Sequence, residues 1–212
     1  MARVTDLALV VLLGLLGCGK QPSKLDAIVD DPAPGELPRA RMPIVIDGDW
    51  GEPAWNLQAL RGVFTEPDGR GTPAGSAAEG RGGPIAGKQA RPYSEVRLLR
   101  DDHDLLVALY AADEDIESAD TFELTLGSVV LSLHPVARLG ADAPAGARVG
   151  VDLDGTLDHP GDDDEEWVVE LALPLSGFAP GPLSVTAKRC DLPKDGRARC
   201  GQWSGTVGLP AR

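Results

Sequence analysis

The chain is 212 residues long, with 33 acidic side chains against 20 basic ones and a formal charge of −13. So acidic a surface is repelled by nucleic acid and by anionic lipid, and no basic stripe offsets it, which excludes nucleic-acid binding. The 26 glycines and 18 prolines favour turns and short strands over long helices.

In chain order, Met1 to Asp6 is short and polar, and Leu7 to Leu16 is an unbroken apolar run. That run is too short to cross a bilayer as a helix but suits the apolar region of a signal peptide. It ends in Leu15-Leu16-Gly17-Cys18, which resembles the lipobox of bacterial lipoproteins. The resemblance implies that residues 1–17 are removed and that Cys18 is lipidated. It places the protein, lipid-anchored, in the bacterial cell envelope. Gly19 rather than Asp after the cysteine implies outer-membrane sorting. No second apolar run of spanning length follows, so lipid is the only membrane attachment expected. Residues 18–41, rich in Pro, Asp, Lys and Ala, read as a tether. Its coil dimension over about 25 residues would be roughly 25–30 Å. The folded domain is expected over 42–212.

Pro43-Ile44-Val45-Ile46 reads as a short strand closed by the turn Asp47-Gly48, and Glu52 to Leu60 as one or two helical turns with Trp55, Leu57 and Leu60 facing inward. Glu66 to Pro92 is rich in Gly, Pro and Ala and reads as a long mobile loop. A Gly-x-Gly beginning at Gly69 has no strand before it and no helix after, so it fails as a nucleotide fingerprint. Ser94 to Arg100 and Leu105 to Ala112 flank the turn Asp101–Asp104 as a hairpin. Thr121 to Leu126, Val129 to Leu133, Arg148 to Leu153, Trp167 to Leu173 and Leu183 to Lys188 follow as further strands. Short strands without alternating helices predict an all-β antiparallel β-sandwich. One core is expected between its sheets, holding Trp55, Val96, Leu98, Leu109, Phe122, Leu124, Trp167, Val169 and Leu171.

Two cysteines remain beyond Cys18. Cys190 and Cys200 flank a turn-rich segment, and in an oxidising compartment a local disulfide is the natural reading. A zinc site is disfavoured, because neither a second Cys pair nor a nearby His accompanies them.

The stretch from Val149 to Leu157 looks like the first signature of haloacid-dehalogenase-type phosphatases, an apolar strand followed by Asp-x-Asp-Gly-Thr. That chemistry needs a Rossmann-like parallel sheet, and no βαβ pattern follows Thr156. The bland reading is a β-turn. Asp152, Asp154 and Asp158 open an acidic run extending to Glu166. Close carboxylates on a loop could bind calcium, although the spacing lacks the order of an EF-hand loop. Hydrolytic constellations are missing: there is no Gly-x-Ser-x-Gly and no His-Glu-x-x-His. A glycosidase needs two carboxylates across a cleft, and the sequence nominates no pair. Trp55 and Trp167 sit at apolar positions and read as core.

Taken in order, several pieces are similar to carbohydrate-binding module family 9. They are Ile46-Asp47-Gly48 with Glu52-Pro53-Ala54-Trp55, Ser94 to Leu99, Leu106 to Tyr110 with Asp113, Asp120 to Leu124, Trp167 to Pro174, and a late Trp203. The resemblance implies a β-sandwich whose sugar-binding members recognise glycan ends, clamp the ring between two aromatics, and can carry structural calcium. At the two clamp positions this chain has Glu117-Ser118-Ala119 and Ser204-Gly205-Thr206-Val207-Gly208, neither with an aromatic. Trp50, Tyr93 and Trp203 are the remaining candidates for ligand contact. The expected function is a non-catalytic, membrane-anchored domain that binds glycan and requires no cofactor. The alternative is an envelope scaffold or protein-binding module without a sugar site, with a glycosidase or phosphatase behind both.

Overall fold

The computed structural model describes residues 35–66, 89–159, 161, 163–191 and 198–211. The expected signal peptide, Cys18, most of the tether and 67–88 of the expected loop lie outside the described residues. Helix α1 (Pro53–Leu57) is followed by strands β1 (Leu60–Val63), β2 (Ser94–Arg100), β3 (Asp104–Ala112), β4 (Thr121–Leu126), β5 (Val129–Leu133), β6 (Arg148–Asp154), β7 (Glu166–Pro174), β8 (Gly181–Asp191) and β9 (Arg199–Leu209). They form two sheets, ordered β1-β2-β3-β7-β6 and β5-β4-β8-β9. Every strand pair is antiparallel. The fold is an all-β sandwich, as expected.

The two sheets differ in how their sequences alternate. In β8, Leu183, Val185 and Ala187 are buried while Ser184 and Lys188 are exposed, the period-2 pattern of a sheet with one wet face. Strands β2, β3 and β7 are instead buried at nearly every position, because both faces of their sheet are covered. Between the sheets lie Val96, Leu98, Leu109, Phe122, Leu124, Trp167, Val169 and Leu171. Trp55 is buried but belongs to a second cluster on the outer face of the five-stranded sheet, with Ala54, Leu99, Leu106, Ala108 and Ala172. The single core expected from sequence is therefore two cores, separated by a sheet.

The segment before β1 builds the second core. Pro43–Ile46 forms no strand; Ile44 and Ile46 pack onto the sheet while Val45 is 59% exposed, and the Val45 N–H is taken by the Glu52 carboxylate at 2.9 Å. Proline starts α1, where its missing N–H costs no helical bond. The helix presents Ala54 and Trp55 to the sheet and leaves Leu57 42% exposed, so only part of its expected inward face is inward.

Residues 35–40, expected to be tether, are packed as a strap. Leu37 is 1% exposed, its N–H bonds the Gly208 carbonyl at 3.0 Å, and Ala40 N–H bonds the Arg100 carbonyl at 2.7 Å. One apolar side chain flanked by prolines gave no periodicity to reveal it. The strap and the Thr65–Gln202 bridge tie β9 to the five-stranded sheet. Cys190 and Cys200 are directly paired across β8 and β9 and form the expected disulfide, with Cα atoms 4.2 Å apart. Because Gly208 pairs with Pro182, the strap and the disulfide sit at opposite ends of β8, about 25 Å apart at strand rise.

Candidate functional site

Among the described residues, no segment covers the outer face of the four-stranded sheet. Cross-strand register sets Ser132, Glu123, Lys188 and Gln202 in one row across β5, β4, β8 and β9. Val130, Thr125, Thr186 and Ser204 form the next row, where Thr186 donates to or accepts from Ser204 at 3.1 Å. Strand alternation forces these side chains outward, because their neighbours Leu124, Leu131 and Ala187 fill the core. The result is a surface of hydroxyl, carboxylate, ammonium and amide groups, with no aromatic ring among these two rows. None of its four-residue polar row was singled out by sequence; the signal was the polar parity of β4 and β8.

The opposite outer face carries a closed charge network. Glu95, its side chain fully buried, accepts hydrogen bonds from Arg61, from the Tyr93 hydroxyl, and from Arg97 Nε at 2.6 Å. Burial pulls the Glu95 pKa upward, but these donors outweigh it and hold the carboxyl below its ordinary range. Arg97 also donates to Asn56 Oδ1 at 2.7 Å and lies 3.8 Å from the Trp50 ring centroid. Trp50 stacks on Tyr110 at 4.5 Å, and Tyr93 lies 5.9 Å from the same ring. Burial and a hydrogen bond to a neighbouring carboxylate raise both tyrosines, Tyr93 through Glu95 and Tyr110 through Glu166.

Deeper on this face, Glu170 joins the covering segment to the sheet. Its carboxylate accepts from Trp55 Nε1 at 2.6 Å, Gly48 N–H at 2.9 Å and Asp47 N–H at 3.1 Å. Burial nevertheless pushes Glu170 up to about 7, with Glu52 adding like charge. Gly48 has φ +101° and sits on β6 so closely that a Cβ there would be 2.3 Å from the Asp152 nitrogen.

The structure thus brings together Trp50 and Tyr93, through Tyr110, but not Trp203. The indole of Trp203 turns inward: a Cβ on Gly62 of β1 would meet it at 2.4 Å, and one on Gly205 at 2.6 Å. It seals the seam between the sheets. Asp152 and Asp154 are exposed at the end of antiparallel edge strand β6, and Asp158 lies in the next turn, where its carboxylate takes the Ser118 N–H at 2.8 Å. This is the turn reading of the Asp-x-Asp-Gly-Thr stretch, on a sheet with no parallel pair.

Three other carboxylates do converge. Oxygens of buried Asp113, Asp120 and Asp191 lie within 4.8 Å of one another at the disulfide end of the sandwich. Arg189, 2% exposed, lies among them, with Nη2 at 2.8 Å from Asp113 and 3.8 Å from Asp191. Asp113 also takes N–H donors from Asp115 and from Trp167 Nε1, both at 3.2 Å, and Asp120 takes one from Glu117 at 2.9 Å. Burial lifts Asp113 to about 7 although Arg189 opposes the rise, and Asp120 adds to it. A calcium ion would need six to eight oxygens here. It would also meet a fixed guanidinium charge, at a cost of about 4 kcal/mol per pair of unit charges at 4 Å and twice that for a divalent ion. With the Arg189 guanidinium among them, the described donors do not fit calcium.

No family profile and no curated protein matches the sequence. Solved structures do match the fold. One is a carbohydrate-binding module family 9 from Caldicellulosiruptor kristjanssonii in complex with cellotriose, at TM-score 0.53 and 15% identity, covering 84% of this chain and 94% of that one. The chain has the family 9 sandwich fold. A family 9 module from the same organism in complex with glucose matches at TM-score 0.51 and 15% identity, covering 82% and 95%. On this family 9-like sandwich, Glu117 to Ala119 lie just before β4 and Ser204 to Gly208 lie within β9. The inward turn of Trp203 leaves neither position with an aromatic for a ligand.

Proposed function

We propose that the protein is a non-catalytic glycan-binding domain carried on the bacterial cell envelope by lipid on Cys18, at the outer membrane. The observation that carries the binding half is the polar row Ser132–Glu123–Lys188–Gln202, which no segment among the described residues covers, on a fold whose solved counterparts hold cellotriose and glucose. Hydroxyl, carboxylate and amide groups across four strands can exchange hydrogen bonds with sugar hydroxyls. Without a ring to stack on, each site forgoes on the order of 1 kcal/mol or more per aromatic, and each 1.4 kcal/mol is tenfold in affinity. Binding is therefore weak for small sugars and grows with glycan length along the row.

Calorimetry with glucose, cellobiose and longer cello-oligosaccharides tests this. Mono- and disaccharides should bind no tighter than roughly millimolar, with longer chains tighter. Micromolar binding of a monosaccharide would require a stacking site and would sink the proposed surface. The second reading, an envelope scaffold or protein-binding module, is favoured by the missing clamp aromatics; no response to any oligosaccharide would select it. The anchor is tested separately by mass spectrometry of the mature N-terminus. An unmodified residue other than Cys18 at that terminus would refute lipid attachment.

A further inference from the structure

We propose that Arg189 is the resident cation of the disulfide end of the sandwich, doing there the neutralising and bridging work that would otherwise call for a bound divalent ion. Arg189 stands on β8 at the inward parity of Leu183, Val185 and Ala187, where a charged residue needs a reason. Its guanidinium crosses the sandwich: Nη1 donates to Ser94 Oγ of β2 at 3.2 Å and to the Ala112 carbonyl of β3 at 2.8 Å, while Nη2 donates to Asp113 at 2.8 Å. One side chain thus ties the four-stranded sheet, the five-stranded sheet and the acidic loop after β3.

Guanidinium geometry explains why an arginine can take this place. Its planar fork sends N–H groups in fixed directions to several acceptors, whereas calcium demands six to eight oxygens at 2.3–2.6 Å. Around the cluster, N–H groups of Asp115, Trp167 and Glu117 also donate to Asp113 and Asp120, so these carboxylates are oriented by hydrogen bonds as well as by the guanidinium. Arg189 Nε has no acceptor among the described residues, so its partners are gathered on the two terminal nitrogens. The proposal is independent of glycan binding, which concerns another surface.

Thermal unfolding of the full chain in millimolar CaCl2 and in EDTA tests it, with MgCl2 as a control. A site filled a hundredfold over its Kd would raise Tm by roughly 5–10 °C. The wild type should show no such shift, and a shift of that size would overturn the proposal. Arg189→Ala removes the charge and opens its volume, so it should melt lower in EDTA and regain several degrees with calcium. A variant as stable as wild type and blind to calcium would equally overturn it. Should Arg189→Ala not fold in either buffer, Arg189→Lys decides: a folded, calcium-independent variant supports the proposal, and a calcium-dependent one refutes it.

Discussion

The two outer faces of this sandwich are made of similar strands and have opposite fates. On the five-stranded sheet, residues 40–59 lie across the strands and bury Trp55, Leu99, Leu106 and Ala172 as a second core. Its polar groups are consumed internally, by Glu95 with its donors and by Glu170 with Trp55 and Gly48. On the four-stranded sheet no segment among the described residues covers the outer face; Cys190–Cys200 staples it at one end, and in its polar row Ser132, Glu123 and Lys188 are exposed and Gln202 is half-buried. Stability and recognition are thereby assigned to different surfaces, and substitutions can separate them.

The largest expected effect is on the covered face. Gly48→Ala combines a positive φ with a backbone overlap against β6, and should cost about 3 kcal/mol or more in urea unfolding. A loss under about 1 kcal/mol would mean that the covering segment lifts off freely. On the open sheet, the Cys190→Ser/Cys200→Ser double variant should lose roughly 2.5–3 kcal/mol, the loop-closure value for a ten-residue separation. An unchanged unfolding midpoint would show that the hairpin needs no staple.

Glu170→Gln should cost about 1–3 kcal/mol, because its amide nitrogen faces N–H donors. The pH dependence has a definite sign. Burial raises Glu170 from 4.5 to about 7, so its contribution is full below 4.5 and is lost as pH rises through 7. The lead of wild type over Glu170→Gln should therefore shrink between those values. A constant or growing lead would show that Glu170 is ionised throughout. The smallest stability effect belongs to Glu123→Ala and Lys188→Ala, within about 0.5 kcal/mol. Calorimetry should nonetheless show several-fold weaker binding of long oligosaccharides, and equal affinity would move the glycan off this face.

Much of this contrast was legible beforehand. Phe122, Leu124 and Leu126 were readable as one face of β4 because alternation follows directly from the pleat. The continuous runs of β3 and β7 announce strands but not which layers cover them, so they give no sign of a second core around Trp55. Strand β9 escaped because its inward positions include Gly201 and Gly205, which leave room for Ala90 and Trp203 and erase the apolar period. Strand β1 is four residues long with an inward glycine, too short to signal. The Asp113, Asp120 and Asp191 cluster joins the ends of β3, β4 and β8, which are distant in sequence, and no local pattern reports it. Arg189 did carry a signal, a charge at core parity, as did Glu170 within the apolar run of β7.

The strap at 35–40 has a mechanical consequence. It bridges in parallel to β9 at Gly208 and to β2 at Arg100, so its bonds lie side by side along the strands. On a lipid-anchored chain, a pull arriving through Gly35 loads the Leu37–Gly208 and Ala40–Arg100 bonds together in shear rather than one after another in peel. If Cys18 carries the proposed lipid, the attachment would resist tension as a lap joint does, with Leu37 held in the core where the strap crosses from one sheet to the other.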